Sequence, residues 1–210
     1  MASDIFLVRH TPVATAPGLC YGRTDVALAD DAPAHIEAVC ERLRLAFADV
    51  PAGLDEARVV TSPSTRCLTL ANAILDIAAD SLAGTNRATQ RLEADERLME
   101  FDFGTWEGQL WAEVPRAELD AWSADLANVR PPGGENLIEV QERALASVNH
   151  HLQDSQPPLV VVTHGGVIRA LIAGLLQWNI DACVRVHIEF GHVSCVRLRR
   201  SYNELRFLNR

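Results

Sequence analysis

Short apolar runs alternate with longer amphipathic stretches along this chain. Ile5 to Val8 is an apolar run that closes on Arg9-His10-Thr11-Pro12, the pattern of a buried strand running into a loop. Asp30-Asp31 before Ala32-Pro33 offers an N-cap and an early-turn proline for an amphipathic helix over His35 to Phe47. Arg58 to Thr61 reads as a second short strand, and Ser62-Pro63-Ser64 opens a helix through Arg66, Leu70 and Ile74. Ser81 to Thr89 is polar and predicts a loop. Arg97 to Gly108 mixes glycine and aromatic residues without a clean period and predicts a shaped loop. Helices follow over Glu113 to Leu126 and Glu135 to Leu152, separated by the break Pro131-Pro132-Gly133-Gly134. Leu159 to Thr163 is the cleanest buried strand, and Gly165-Gly166 leads into an apolar helix from Val167 to Trp178. Val184 to Ile188, Val193 to Leu198 and Glu204 to Leu208 predict terminal strands.

Strands that alternate with helices predict an α/β fold, here a three-layer α/β/α sandwich around a mostly parallel central sheet. Neither a linker nor an internal repeat divides the 210 residues, so one domain over residues 1–210 is expected. In such sheets ligands sit beyond the carboxyl ends of the strands.

Charge narrows the partners. The formal net charge of -9 argues against nucleic acid and membrane surfaces, which are themselves polyanionic. It permits a small anionic substrate, because a local arginine cluster can invert the field inside a cleft. Every basic side chain is arginine, so phosphate contacts must come from guanidinium, histidine or backbone N–H. Cys20, Cys40, Cys67, Cys183 and Cys195 are odd in number and form no CxxC pair, as expected of reduced thiols in a cytoplasmic protein. The stretch from Met1 to His10 lacks the features of a secretory signal, and the apolar run around Val167 to Leu176 is interrupted by Arg169 and too short to span a bilayer. The apolar terminal strands either finish the sheet or pair with a second copy in a homodimer.

Three predicted strands end in chemically loaded residues: Arg9-His10, then Thr61-Ser62 with Arg66 one helical turn on, then Thr163-His164-Gly165-Gly166. A lone histidine after a strand is an ordinary structural residue. Three such ends along one sheet edge gather two histidines, two arginines and helix N-termini, a setting for a dianionic phosphate. A random core has no reason to collect unpaired positive charge, because burying it is costly.

Leu7-Val8-Arg9-His10, Thr61-Ser62-Pro63-Ser64-Thr65-Arg66, Leu98 to Gly108 and Thr163-His164-Gly165-Gly166 together resemble the signature segments of the histidine phosphatase superfamily, the phosphoglycerate-mutase-like proteins. The four matches lie in the family's order across nearly the whole chain. Gly18 to Asp25 and the compact length look most like the alpha-ribazole phosphatases of cobalamin biosynthesis. The resemblance implies a phosphoglycerate-mutase-like fold and a phosphomonoester hydrolase working through phosphohistidine. It casts His10 as nucleophile, Glu100 as acid and base, and His164 as the second catalytic histidine. Arg9, Arg66, Tyr21, Gly22 and Gly165 would hold the phosphate of a small phosphorylated metabolite. No cofactor or metal is required on this scheme. Two departures stand out. Thr11 follows the first histidine where many members have glycine, and Val13 to Pro17 lacks the family's frequent asparagine.

Some roles stay open. Asp102 competes with Glu100 as the acid, whereas Glu107 reads as a turn or ion-pair residue. Arg23 and Tyr21 either roof the site or face solvent; Trp106 and Trp111 line a leaving-group pocket or belong to the core. Arg169 reads as structural, and His35, His150, His151, His187 and His192 as surface or packing residues. P-loop, GxGxxG, GxSxG and HExxH patterns are absent, no arginine lies six positions after a cysteine, and no DxD pair follows the first strand. The remaining rivals are a phosphoglycerate mutase, a broad-specificity phosphatase on the same mechanism, and a non-catalytic binder of phospho-ligands.

Overall fold

The computed structural model describes residues 3–80, 92–152 and 157–210. Six strands form one mixed sheet: β1 Ser3–Arg9, β2 Arg58–Thr61, β3 Glu93–Ala94, β4 Leu159–Thr163, β5 Val193–Leu198 and β6 Asn203–Phe207. Their order is β3-β2-β4-β1-β5-β6. The first four run parallel; β5 and β6 are antiparallel to their neighbours. The helices are α1 Ala32–Phe47, α2 Thr65–Asp80, α3 Arg116–Ala124, α4 Leu137–Leu152 and α5 Gly165–Leu176.

Alternate side chains of each central strand enter opposite layers, as the two-residue period of a strand requires. Ile5, Leu7 and Val161 pack with Val140, Ala144 and Val148 of α4 and with Ile168 and Leu171 of α5. Phe6, Val8, Val160 and Val162 pack with Val39 and Leu43 of α1 and with Leu70 and Ile74 of α2. Buried on both faces, β1 and β4 are continuous apolar runs, the mark of parallel strands covered by helices. Of the five buried, free cysteines, Cys40, Cys67, Cys183 and Cys195 lie in these layers, and Cys20 packs with Trp106 and Val114.

Register places the chemistry. Arg9 pairs with Thr163, and Thr61 with Val162, so β1, β2 and β4 end almost flush. The His10 N–H then donates to the Thr163 carbonyl at 3.0 Å, and the Ser62 N–H to that of Val162 at 2.9 Å. His10, Ser62 and His164 are thus each the first residue beyond a strand, side by side.

The structure corrects several local expectations. No strand forms over Val184 to Ile188; Ile180–Arg185 is a 3-10 helix instead. The carbonyls of Val186, His187 and Ile188 are taken by the side chains of Arg169, Asn209 and Arg9, which removes the acceptors a sheet ladder needs. Asp31 occupies the N-cap of α1 but makes no cap bond, and its carboxylate meets His35 Nε2 at 3.2 Å. Helix α3 begins at Arg116 because Pro115 keeps the preceding residue out of the helical region, and the Glu113 carboxylate accepts the Leu110 N–H instead. The two-residue edge strand β3 was not foreseen. The loop expected over Ser81 to Thr89 lies outside the described residues. Among the described residues no helix is long and apolar enough to cross a membrane.

Candidate active site

His10 is buried beneath the carboxyl edge of the sheet, and its Nδ1 lies 2.7 Å from the Thr11 carbonyl. A carbonyl can only accept, so Nδ1 carries the proton and Nε2 keeps a lone pair. Burial, then the charges of Arg66 and Arg9, push the His10 pKa down to about 3, against the opposing Thr11 bond. The result is a neutral imidazole with one nitrogen fixed and the other available as a nucleophile.

His164 meets His10 edge-on, with ring centroids 5.2 Å apart. Its Nε2 lies 2.8 Å from Ser62 Oγ. Burial, reinforced by His10 and Arg66, holds its pKa well below the ordinary value. Two imidazoles kept neutral make the fold sensitive to acid. In the unfolded chain each protonates near its ordinary pKa of about 6.5, while folded His10 resists until about 3. The unfolded state then binds more protons, so their contribution is complete above about pH 6.5 and declines as the pH falls, by about 1.4 kcal/mol per unit for each histidine. Urea midpoints between pH 7 and pH 5 should drop on that scale and drop less steeply in His10→Asn. An identical slope in the variant would place the proton uptake elsewhere.

The two arginines are clamped from behind. Arg66, in the first turn of α2, is fully buried and donates from Nη2 to the Gly22 carbonyl at 2.8 Å and from Nη1 to that of Thr24 at 3.0 Å. Asp25 Oδ1 stands 3.8 Å from Nη1. The Arg9 guanidinium stacks 3.4 Å from the Phe190 ring centroid and donates to the Ile188 carbonyl. Tyr21 lies between the two, its ring 5.3 Å from the Arg66 guanidinium carbon and its phenol against Arg9. The buried polar atoms left without a partner include Arg9 Nε, Arg66 Nε, His164 Nδ1 and Thr11 Oγ1. An unpaired buried polar atom is costly, and those of Arg9, Arg66 and His164, whose groups act on His10, suit an oxyanion.

Glu100 closes the other side. Its Oε1 accepts the Phe101 N–H at 2.9 Å, and its Oε2 that of Gly166, in the first turn of α5, at 3.3 Å. A Cβ on Gly166 would stand 2.6 Å from Glu100 Oε1, and one on Gly165 would stand 3.2 Å from Arg9 Cζ. The two glycines are therefore what let both side chains approach the helix end. Gly22 is equally constrained. Its φ of +37 is left-handed, and a Cβ would meet Glu107 Oε1 at 2.3 Å.

Arg143 and Glu135 join the site only through the structure. Arg143 donates to the carbonyls of Arg97, Met99 and Glu100, at 2.8, 2.6 and 3.0 Å. Glu135 pairs with it and also with Arg23, which reaches the Glu100 carbonyl at 3.3 Å. This network grips the backbone that carries Glu100. On the sequence Arg143 was one more charge on an amphipathic helix, with nothing to tell it from its neighbours.

Asp102 is occupied elsewhere: Oδ1 accepts the Gly104 N–H at 2.9 Å, and Oδ2 lies 3.4 Å from Arg23. Glu107 ties two loops together through the N–H groups of Arg23, Thr24 and Phe103. Trp106 is core, its indole N–H bonded to Glu118. Trp111 stacks on Trp122, and it is Trp122, with Phe101 and Phe103, that walls a cavity of about 180 Å³ opening beside Arg9, Glu100 and Gly166.

The family model described as histidine phosphatase superfamily (branch 1) matches residues 5–210. The chain belongs to this superfamily. A glucosyl-3-phosphoglycerate phosphatase of Mycolicibacterium vanbaalenii is 35% identical over 150 residues, 65% of this chain and 61% of that protein. The chain thus spans about three-fifths of the length of that curated relative. The adenosylcobalamin/alpha-ribazole phosphatase of Escherichia coli is 28% identical over 120 residues, 53% of this chain and 57% of its own. Among solved structures, a mycobacterial glucosyl-3-phosphoglycerate phosphatase superposes with a TM-score of 0.79 at 22% identity, over 99% of this chain and 98% of that one. The phosphoglycerate-mutase-like sandwich expected of a histidine phosphatase is the fold observed.

Proposed function

We propose that this chain hydrolyses small phosphomonoesters through a phosphohistidine formed on His10 Nε2. The observation that carries the reading is the neutral His10, its tautomer set by Thr11, beside the unpaired buried nitrogens of Arg9, Arg66 and His164. In the first step Nε2 attacks phosphorus in line, the P–O bond to the leaving group breaks, and protonated Glu100 gives its proton to the departing oxygen. In the second step Glu100 takes a proton from water, the water oxygen bonds phosphorus, and the P–N bond breaks to return neutral His10 and inorganic phosphate. Arg9, Arg66 and His164 offset the charge spread over the transferring group, where most of the rate enhancement of phosphoryl transfer lies. Tyr21 and the carbonyl of Gly22 act through the arginines they hold. Gly165 keeps the α5 terminus open to Arg9. Glu100 lines the cavity beside Arg9 and Asp102 does not, which favours Glu100 as the acid.

For the leaving group, the aromatic wall of Phe101, Phe103 and Trp122 suits a flat ring system, which supports alpha-ribazole 5'-phosphate as substrate. The 35% identical relative supports a second reading, a phosphorylated sugar acid whose carboxylate would meet Arg9 or Arg169 at the same cavity. Phosphate release from alpha-ribazole phosphate, glucosyl-3-phosphoglycerate, 3-phosphoglycerate, sugar phosphates and p-nitrophenyl phosphate separates them. A strong preference for alpha-ribazole phosphate supports the first reading, and one for glucosyl-3-phosphoglycerate the second; even turnover of all assigns a broad phosphatase. Interconversion of phosphoglycerates without phosphate release points to a mutase, and binding without turnover to a non-catalytic protein. On the aromatic reading, Trp122→Ala should raise KM for alpha-ribazole phosphate about tenfold, by loss of about 1–1.5 kcal/mol of ring contact, and leave KM for a sugar phosphate near the wild-type value. Equal changes for both substrates would remove Trp122 from the leaving-group pocket.

A further inference from the structure

Away from the sheet edge that carries His10, the last turn of α4 brings His150 and His151 against Glu93 of edge strand β3. One ligand atom from each of these three side chains lies within 4.8 Å of the others. His151 is buried, at 1% exposure, while Glu93 and His150 are exposed. The buried ring is held from one side only. Its Nε2 lies 3.3 Å from Asp95 Oδ2, and a carboxylate that is also bonded to Arg97 and Ser147 can only accept. The proton therefore sits on Nε2, and the Nδ1 lone pair is on the side of Glu93.

That Nδ1 atom has no hydrogen-bond partner although it is buried. It stands 3.7 Å from Glu93 Oε2, too far for a hydrogen bond. Bonds of about 2.0–2.1 Å to a tetrahedral metal put neighbouring ligand atoms about 3.3 Å apart, a few tenths of an ångström less than this separation. Metal-binding histidines characteristically donate their second ring N–H to a carboxylate, the arrangement His151 already has with Asp95. The negative end of the α4 dipole adds to the attraction for a cation.

We propose that Glu93, His150 and His151 form a binding site for a divalent transition-metal ion of the zinc class, with Asp95 orienting His151. Two imidazoles and one carboxylate are borderline donors that favour zinc over magnesium or calcium. Water completes the coordination. A bound ion ties edge strand β3 to α4 at the start of the segment that runs on to Glu100. It takes no part in the phosphoryl chemistry, which stays on His10.

Titration of the tag-free protein with Zn2+ tests the site. Saturable binding of one ion per chain is expected, together with a rise in Tm, since an ion that binds only the folded state stabilises it. His150→Ala and Glu93→Gln change exposed side chains, so both variants should fold, and each should weaken Zn2+ binding about a hundredfold or more and abolish the rise in Tm while phosphate release is unchanged. The Co2+-substituted protein should show ligand-field bands without a thiolate charge-transfer band. Absence of stoichiometric binding, binding retained by either variant, or a thiolate band that moves the ion to a cysteine would each overturn the proposal.

Discussion

His10→Ala should abolish phosphate release, lowering kcat by about four orders of magnitude or more while the protein stays folded. The loss is large because the imidazole forms the bond that divides the reaction into two steps, and the arginines cannot replace a missing nucleophile. Binding should survive. The variant retains Arg9, Arg66 and His164, whose unpaired buried nitrogens are the phosphate contacts on the proposed mechanism, so a non-hydrolysed ester should bind within about tenfold of the wild-type affinity. Substantial turnover by this variant, at even a hundredth of the wild-type rate, would reject His10 as the nucleophile.

The second large effect separates the two carboxylates. Glu100→Gln keeps the shape but has no proton to transfer, so kcat/KM for an alkyl phosphate should fall about 10²–10⁴-fold. For p-nitrophenyl phosphate the fall in kcat/KM should be much smaller, because nitrophenolate leaves without protonation. Asp102→Asn should change kcat/KM less than tenfold for either ester, its carboxylate being committed to the Gly104 N–H and to Arg23. Steady-state kinetics on the two variants with the two esters give the answer. The reverse pattern, with Asp102→Asn crippled on the alkyl ester alone, would transfer the acid role to Asp102.

The frame of the site was legible in the chain for a physical reason. Parallel strands buried on both faces must be short apolar runs, and Ile5 to Val8, Arg58 to Thr61 and Leu159 to Thr163 stand out as such against amphipathic helices. Polar residues at their carboxyl ends can then meet only along one edge, and the flush pairing of Arg9 with Thr163 brings His10 beside His164. What was not legible depends on contacts between segments distant in the chain. The Arg143 grip on the Glu100 backbone needs the crossing of α4 over residues 97–100, which no local pattern specifies. The tautomer of His10 depends on a single carbonyl, and the partner of His164 is a hydroxyl just beyond β2. Val184 to Ile188 alternates as a strand should, yet three side chains claim its carbonyls first. His150 and His151 read as surface or packing residues because Glu93 lies on an edge strand too short to be recognised, and Asp95, the partner of His151, lies just beyond it.

The stereochemistry of phosphoryl transfer tests the central claim most directly. A substrate ester made chiral at phosphorus with sulfur and oxygen isotopes is hydrolysed in isotopically labelled water, and the configuration of the released thiophosphate is determined. Two in-line displacements, first by His10 and then by water, predict net retention. Net inversion would mean that water attacks the ester directly and that no phosphohistidine forms.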